Sequence, residues 1–256
     1  MYAIIGDIGN TVTKICLIDI NTFKVKKTIN FITGKSSSIA FLHKLFKKFL
    51  RSKKLYKTAL FSSVVPKHEK FLKKFFLKFY KIKLYEIKDK GIKKIIKINI
   101  KNKNQVGSDR IANAAGVYKK YKFNSIVLDF GTATTFDVVT KDGVYNGGVI
   151  APGVNLSINS LSSKADQIPI FTLQKQKKVI GKNTIEALRS GFYWGYVGLI
   201  NNIILKIEKE TKKKYKIIFT GGFANLFQTS IVKPFIIDKN ITINGIIEIF
   251  KKNLIK

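Results

Sequence analysis

The sequence predicts an α/β protein assembled from two related halves, and three observations carry that prediction. Segments of strand and helix character alternate along the chain. A short pattern occurs twice: residues 3–13 read AIIGDIGNTVT and residues 125–135 read SIVLDFGTATT, so Asp7, Gly9 and Thr13 match Asp129, Gly131 and Thr135 at a constant offset of 122. At about 150 residues per domain, 256 residues hold one large domain or two modest ones. A hydrophobic fraction of 45% with 25% charged residues describes a chain with a core, not a solvated tail.

Taken in order, residues 2–6 read as a strand, and the apolar run Ile15-Cys16-Leu17-Ile18 as the centre of a second strand over 13–20 paired back on it through the Asp-x-Gly turn. A helix over about 39–51, a strand over 57–64, a helix over 67–80 and a strand over 83–87 follow. Small and apolar residues from Asp109 or Arg110 onward predict a close-packed helix over 110–121, with Ser108 or Asp109 as its N-cap. The second half repeats the hairpin, with strands near 125–130, 134–140 and 144–151. Helices near 153–162 and 182–210 and a strand over 215–220 complete it. Phe223-Ala224-Asn225-Leu226 has the character of a helix start. Gly191, Gly195 and Gly198 in the long helix permit close backbone approach, either in core packing or at a dimer seam.

Charge and cysteine content narrow the function classes. There are 48 Lys and Arg residues against 15 Asp and Glu, a net charge of +33. That value invites a nucleic-acid hypothesis. However, Arg51, Arg110 and Arg189 are the only arginines, and the lysines are scattered in pairs such as Lys26-Lys27 and Lys251-Lys252 instead of forming one face. The charge therefore reads as compositional drift that affects solubility and anion attraction, and nucleic acid is not the expected partner. Cys16 is the single cysteine, so no internal disulfide exists and a reducing compartment is expected. The N-terminal MYAIIGDIGN lacks the basic segment of a signal peptide, and no apolar run reaches the roughly 20 residues of a membrane span. A cytoplasmic protein with no membrane partner is expected.

Each hairpin turn has the chemistry of a phosphate site. Gly9 and Gly131 allow φ > 0 and let backbone N–H groups approach a phosphate, while Asn10, Thr11, Thr132 and Thr134 add donors. Asp7 and Asp129 suit a cation, or its waters, held against that phosphate. Thr220-Gly221-Gly222 follows the apolar run Ile217-Ile218-Phe219 and suits the adenosine-side rim of a nucleotide site. Asp109 can accept a proton from an attacking hydroxyl, and the planar fork of Arg110 suits a substrate carboxylate. His43 and His68 are the only histidines and fall in Lys/Phe-rich helical segments, at the surface or core edge. The chain has no zinc-type Cys/His cluster and no Gly-x-x-x-x-Gly-Lys-Ser/Thr loop. An acidic base, cations and glycine turns remain, the parts that position a hydroxyl against a nucleoside triphosphate.

The motifs DIGNT (7–11), VGSDR (106–110), LDFGTATTFD (128–137), GGVIAPG (147–153), GKNTIEALRSG (181–191) and TGG (220–222), in this order, strongly resemble the type III pantothenate kinase family. The resemblance implies the duplicated actin-like, sugar-kinase-like and Hsp70-like fold, related to ribonuclease H. Its two similar α/β domains, residues 1–115 and 116–256, would flank an ATP cleft, usually in a homodimer. It implies ATP-dependent phosphorylation of pantothenate to 4′-phosphopantothenate, the first step of coenzyme A synthesis. Carried over residue by residue, Asp109 is the general base, and Gly107, Ser108 and Arg110 line the pantothenate site. Thr184 reaches pantothenate. Asp7, Ile8, Gly9, Asn10, Thr11, Val12, Thr13, Lys14 and Thr132 bind the ATP phosphates, with Gly221 and Gly222 at the nucleotide. Mg²⁺ sits near Asp7, and Asp129 holds an activating K⁺ or NH₄⁺. Ile100 stands where the family often has a pantothenate-contacting aromatic residue, and Ser108 where alanine is common. A non-catalytic nucleotide-binding regulator of transcription on the same scaffold is the alternative, disfavoured by the intact Asp7, Asp109 and Asp129.

Overall fold

The computed structural model describes residues 1–51, 53–93, 95–228 and 231–254. In chain order the elements are β1 (Tyr2–Ile8), β2 (Val12–Asp19), β3 (Val25–Ile32), α1 (Ile39–Phe49), β4 (Leu55–Ser63), α2 (Pro66–Tyr80), β5 (Lys83–Glu86), β6 (Lys97–Ile98) and α3 (Ser108–Tyr121). They are followed by β7 (Ser125–Phe130), β8 (Ala133–Val139), β9 (Val144–Pro152), α4 (Val154–Lys164), α5 (Thr184–Thr211), β10 (Lys216–Gly221), β11 (Phe235–Ile237) and α6 (Ile241–Leu254). The chain forms two compact units. The first comprises Met1–Lys122, Asp142–Tyr145 and the C-terminal segment from Asn240; the second comprises Phe123–Lys141 and Asn146–Lys239.

In the first unit the strand order is β3-β2-β1-β4-β5. β1 runs antiparallel to β2, with Asp7 opposite Lys14 and Ile8 opposite Thr13, and parallel to β4. Ala3, Ile4, Ile5 and Ile8 are all buried, the near-continuous apolar run of a central strand covered on both faces. One cover is α1 and α2, whose Phe46, Phe75 and Phe76 pack with Ile4, Ile15 and Phe61. Ser38 caps α1 through Phe41 N–H at 3.3 Å, and Pro66 opens α2, where its missing N–H costs nothing. The remaining cover is α3 with α6, which pack on β1 and β4. These two helices meet at glycines: a Cβ at Gly116 would lie 2.4 Å from the Ile241 carbonyl oxygen, and one at Gly245 would lie 1.8 Å from that of Ala112. Thr242 Oγ1 donates to Asn113 Oδ1 at 2.7 Å across the same seam.

The second unit repeats this topology. β7 runs antiparallel to β8 and parallel to β10, which is parallel to β11, giving the order β11-β10-β7-β8-β9. Substituting β7 for β1, β8 for β2, β9 for β3, β10 for β4 and β11 for β5 reproduces the first sheet. Its core joins Leu128, Phe136 and Phe219 to Tyr193, Tyr196 and Ile200 of α5 and to Phe227. The first two residues of β9 pair instead with β6, Lys97 with Val144 and Ile98 with Tyr145.

The structure departs from the sequence expectation in four places. β3, β6, β11 and α6 emerge unannounced. Phe223–Leu226 is a run of turns, not a helix start, because Gly221 adopts φ +84° and redirects the chain. The N-cap of α3 is Gly107, one residue before the expected Ser108 or Asp109, and Ser108 is already helical and fully buried. Gly9 and Gly131 do not use positive φ; the glycines that do are 91, 143, 147 and 221.

Candidate active site

The first hairpin turn is closed by Gly9 N–H donating to the Val12 carbonyl at 3.1 Å. It is braced by Thr33, whose Oγ1 donates to the Gly9 carbonyl at 2.7 Å and whose N–H donates to the Thr11 carbonyl at 3.0 Å. Gly9 is tightly placed: a Cβ there would lie 3.0 Å from the Val12 oxygen. Asn10, Thr11 and Val12 are exposed, and Asp7 and Lys14 are half-buried. Ile8 and Thr13 are fully buried, so the side chains of these two expected nucleotide residues belong to the core. Thr13 Oγ1 lies 3.0 Å from Thr33 Oγ1. The Lys14 ammonium donates to Asn240 Oδ1 at 3.3 Å.

The second hairpin turn is tighter, closed by Gly131 N–H on the Ala133 carbonyl at 3.1 Å. Thr132 is exposed at its tip, whereas Thr134 is fully buried and cannot donate to a ligand. Gly153, the last residue of the GGVIAPG motif and the N-cap of α4, lies under this tip; a Cβ there would come within 2.1 Å of the Thr132 carbonyl oxygen. β10 brings Thr220 opposite Asp129 and Gly221 opposite Phe130. Gly222 N–H donates to the Phe130 carbonyl at 3.0 Å. A Cβ on Gly221 would lie 2.7 Å from Asp129 Oδ1 and 2.6 Å from the Phe130 carbonyl oxygen, so the chain passes that carboxylate too closely for any side chain there.

The expected base stands at the start of α3, in the first unit. Asp109 is half-buried, and its Oδ1 accepts from Arg110 N–H at 2.7 Å. The same oxygen would lie 2.4 Å from a Cβ at Gly107, so the carboxylate folds back over the glycine. Burial pushes the Asp109 carboxyl above its ordinary range, while the Arg110 peptide N–H, the Arg110 guanidinium and Lys88 pull it back. Lys88 donates from Nζ to the Val106 carbonyl at 3.2 Å, one peptide before that glycine. Its own N–H donates to Glu86 Oε2 at 2.6 Å. Glu86 is buried, which raises its carboxyl, while the Ser108 side chain and the Lys88 N–H pull it back. Ile100 is half-buried two residues beyond β6.

Thr184 is the first residue of α5, exposed, behind Asn183, whose Oδ1 accepts from Glu186 N–H at 2.9 Å. It lines an apolar groove of about 740 Å³ with Pro152, Leu188, Gly191, Gly195 and Leu199, all in the second unit. His43 packs edge-on against Phe79, and His68 Nδ1 lies 2.8 Å from Ser36 Oγ, so both histidines have structural contacts. Sequence reasoning missed Lys88 and Tyr145, whose ring lies 5.7 Å from the Arg110 guanidinium carbon. No spacing rule links residues 110 and 145; only the pairing of β6 with β9 does.

A family model for type III pantothenate kinase matches residues 3–206. A type III pantothenate kinase of Pelagibacter ubique is 51% identical over 244 residues, covering 95% of this chain and 96% of its own. One from Paramagnetospirillum magneticum is 38% identical over 195 residues, 76% of this chain and 75% of its own. Among solved structures, the activator of 2-hydroxyisocaproyl-CoA dehydratase from Clostridium difficile, with bound ADPNP, aligns with a TM-score of 0.54 over 98% of this chain and 95% of its own. At 12% identity, that likeness concerns the fold. The architecture is that of the actin-like and sugar-kinase proteins. On its motifs, its doubled sheet topology and these relatives, the chain belongs to the type III pantothenate kinase family.

Proposed function

We propose that this pantothenate kinase transfers the γ-phosphoryl group of ATP directly to the pantothenate hydroxyl, with Asp109 as general base. The observation that carries the reading is the placement of Asp109: a half-buried carboxylate raised by burial, fixed against Gly107, with a guanidinium on the next residue. The hydroxyl oxygen attacks the γ-phosphorus, its proton passes to Asp109, and the bond to the ADP oxygen breaks. Arg110 pairs with the pantothenate carboxylate. The exposed tip residues Asn10, Thr11 and Val12 in the first unit and Thr132 in the second are the proposed donors to the ATP phosphates, with Gly221 and Gly222 beside the nucleotide.

The residues present fit the expected cations. Mg²⁺ takes one or two carboxylates and completes its shell with phosphate oxygens and water, which matches the single half-buried Asp7, since no cluster of three His, Cys, Asp or Glu occurs among the described residues. Asp129, with the Gly221 backbone packed close beside its Oδ1, is the carboxylate we assign to K⁺ or NH₄⁺. Bound there, these ions would offset phosphate charge during transfer.

The groove along α5 supports a homodimer. Apart from the backbone of their own helix and their chain neighbours, Gly191, Gly195 and Gly198 have no described atom within 4 Å of a Cβ placed on them, so the close approach they permit is not made by another described element, and a second copy is the proposed occupant. Sedimentation as a monomer at assay concentration would contradict it. No described helix is long and apolar enough to cross a membrane, and we place the enzyme in the cytoplasm, without a nucleic-acid partner. ADP release with pantothenate as sole acceptor tests the function. Asp109→Asn should lower turnover by at least about 10²-fold while ATP binding, measured by calorimetry, is retained. Near-normal turnover in that variant removes Asp109 as the base.

A further inference from the structure

The residue that follows the third strand of the first unit reaches back to the tip of the first hairpin. β3 pairs with β2 so that Phe31 stands opposite Thr13 and Ile32 opposite Val12, which brings Thr33 level with Thr11. Thr33 is 1% exposed, and both of its donors are taken up by the tip: Oγ1 donates to the Gly9 carbonyl at 2.7 Å and N–H to the Thr11 carbonyl at 3.0 Å. Its one hydroxyl proton goes to Gly9. In the 3.0 Å contact between the two threonine hydroxyls, the fully buried Thr13 Oγ1 is therefore the donor and Thr33 Oγ1 the acceptor. The short helical turn Thr33–Ser37 is itself fixed to α2, where the buried Ser36 Oγ lies 2.8 Å from His68 Nδ1. The second unit fills the same topological position by other means. Gly153, the first residue after β9, packs so closely under its own tip that a Cβ would lie 2.1 Å from the Thr132 carbonyl oxygen and 2.7 Å from that of Gly131.

We propose that Thr33 is a positioning residue for ATP, which holds the Gly9 and Thr11 carbonyls inward so that the tip of the first hairpin presents N–H groups to the phosphates. This rests on the assignment of that tip to the phosphates. The described peptides are trans, and in a trans peptide the C=O and the N–H point in opposite directions. Drawing the Gly9 carbonyl to Thr33 aims the Asn10 N–H away from Thr33, and drawing the Thr11 carbonyl does the same for Val12. Without the brace these peptides are free to rotate and turn carbonyl oxygens, which repel phosphate, toward the ligand. The hydrogen bonds run in series from Thr13 through Thr33 to Gly9, so each polarises the next, and their burial keeps water from replacing them. A tip set before the nucleotide arrives loses less freedom on binding it.

The test uses the full chain, with ATP and pantothenate KM values measured separately. Thr33→Val keeps the shape and the N–H but removes the hydroxyl; it should raise the ATP KM about tenfold, with the pantothenate KM within about twofold. Thr33→Ser keeps the hydroxyl and should leave both values within about twofold. Loss of folded protein lowers turnover without moving the ATP KM, so the split between the two KM values separates positioning from stability. Asn10→Asp sets a carboxylate at the exposed crown of the tip and should raise the ATP KM by repulsion, independently of Thr33. If Asn10→Asp raises the ATP KM but Thr33→Val does not, or if Thr33→Val moves both KM values equally, or if Thr33→Ser behaves as Thr33→Val does, the brace is wrong while the tip assignment stands. If Asn10→Asp leaves the ATP KM unchanged, the tip assignment fails and the brace with it. Should Thr33→Val not fold, Thr13→Val removes the donor to Thr33 and should raise the ATP KM about threefold; an unchanged value there overturns the brace equally.

Discussion

Asp109 shows how one backbone decision sets a chemical property. Gly107 as N-cap lets the carboxylate fold back over the chain, and the burial that follows raises its proton affinity. A general base works only when deprotonated, so kcat/KM for pantothenate should fall as pH drops through the raised Asp109 value. The acid limb therefore lies above the ordinary aspartate value of about 3.9. A limb at or below that value would contradict the burial argument. Asp109 and Arg110 are legible in sequence because acid, guanidinium and helix start are adjacent. Tyr145 is not, because a strand pairing brings it to Arg110 from 35 positions away. The same limit explains Gly9 and Gly131. Their presence in a turn is readable, but a Cβ would press on the Val12 carbonyl oxygen at Gly9 and make only ordinary contacts at Gly131, a difference that only the folded turn shows.

At the level of elements, the hairpins were visible because each joins two apolar runs through an Asp-x-Gly turn. β3 was not, since its eight residues are mostly exposed and carry Lys26, Lys27 and Asn30 among the apolar ones. α6 was hidden for a different reason. Ile241-Thr242-Ile243-Asn244-Gly245 is rich in β-branched residues and holds a mid-helix glycine, both of which argue against a helix locally. Packing overrides that preference, because Gly245 is where α6 touches the Ala112 carbonyl of α3. Gly245→Ala raises intrinsic helix propensity yet should destabilise the protein by about 1–3 kcal/mol through overpacking, read as a lower midpoint in denaturant. A stabilised variant would show that the helices can separate at no cost.

For the whole molecule, the repeated sheet order shows two copies of one topology put to different uses. The first unit carries Asp7 and Asp109, the proposed base; the second carries Asp129 with the glycine pair. Asp129→Ala should therefore abolish K⁺ stimulation while leaving a residual Mg²⁺-dependent rate, measured in Na⁺ and K⁺ buffers side by side. Persistence of the stimulation would move the cation site elsewhere. The doubled pattern was readable from the offset of 122 between the hairpins, whereas the return of the C-terminal segment to the first unit was not.

That return has a consequence for how the polypeptide is made. The seam of Gly116 and Gly245 joins residues about 130 positions apart, so a ribosome must release the chain through α6 before the first unit can seal its second face. Until then α3 exposes the small-residue surface meant for its late partner, and the second unit, whose strands all precede Asn240, is free to finish first. Birth order and completion order are thus reversed.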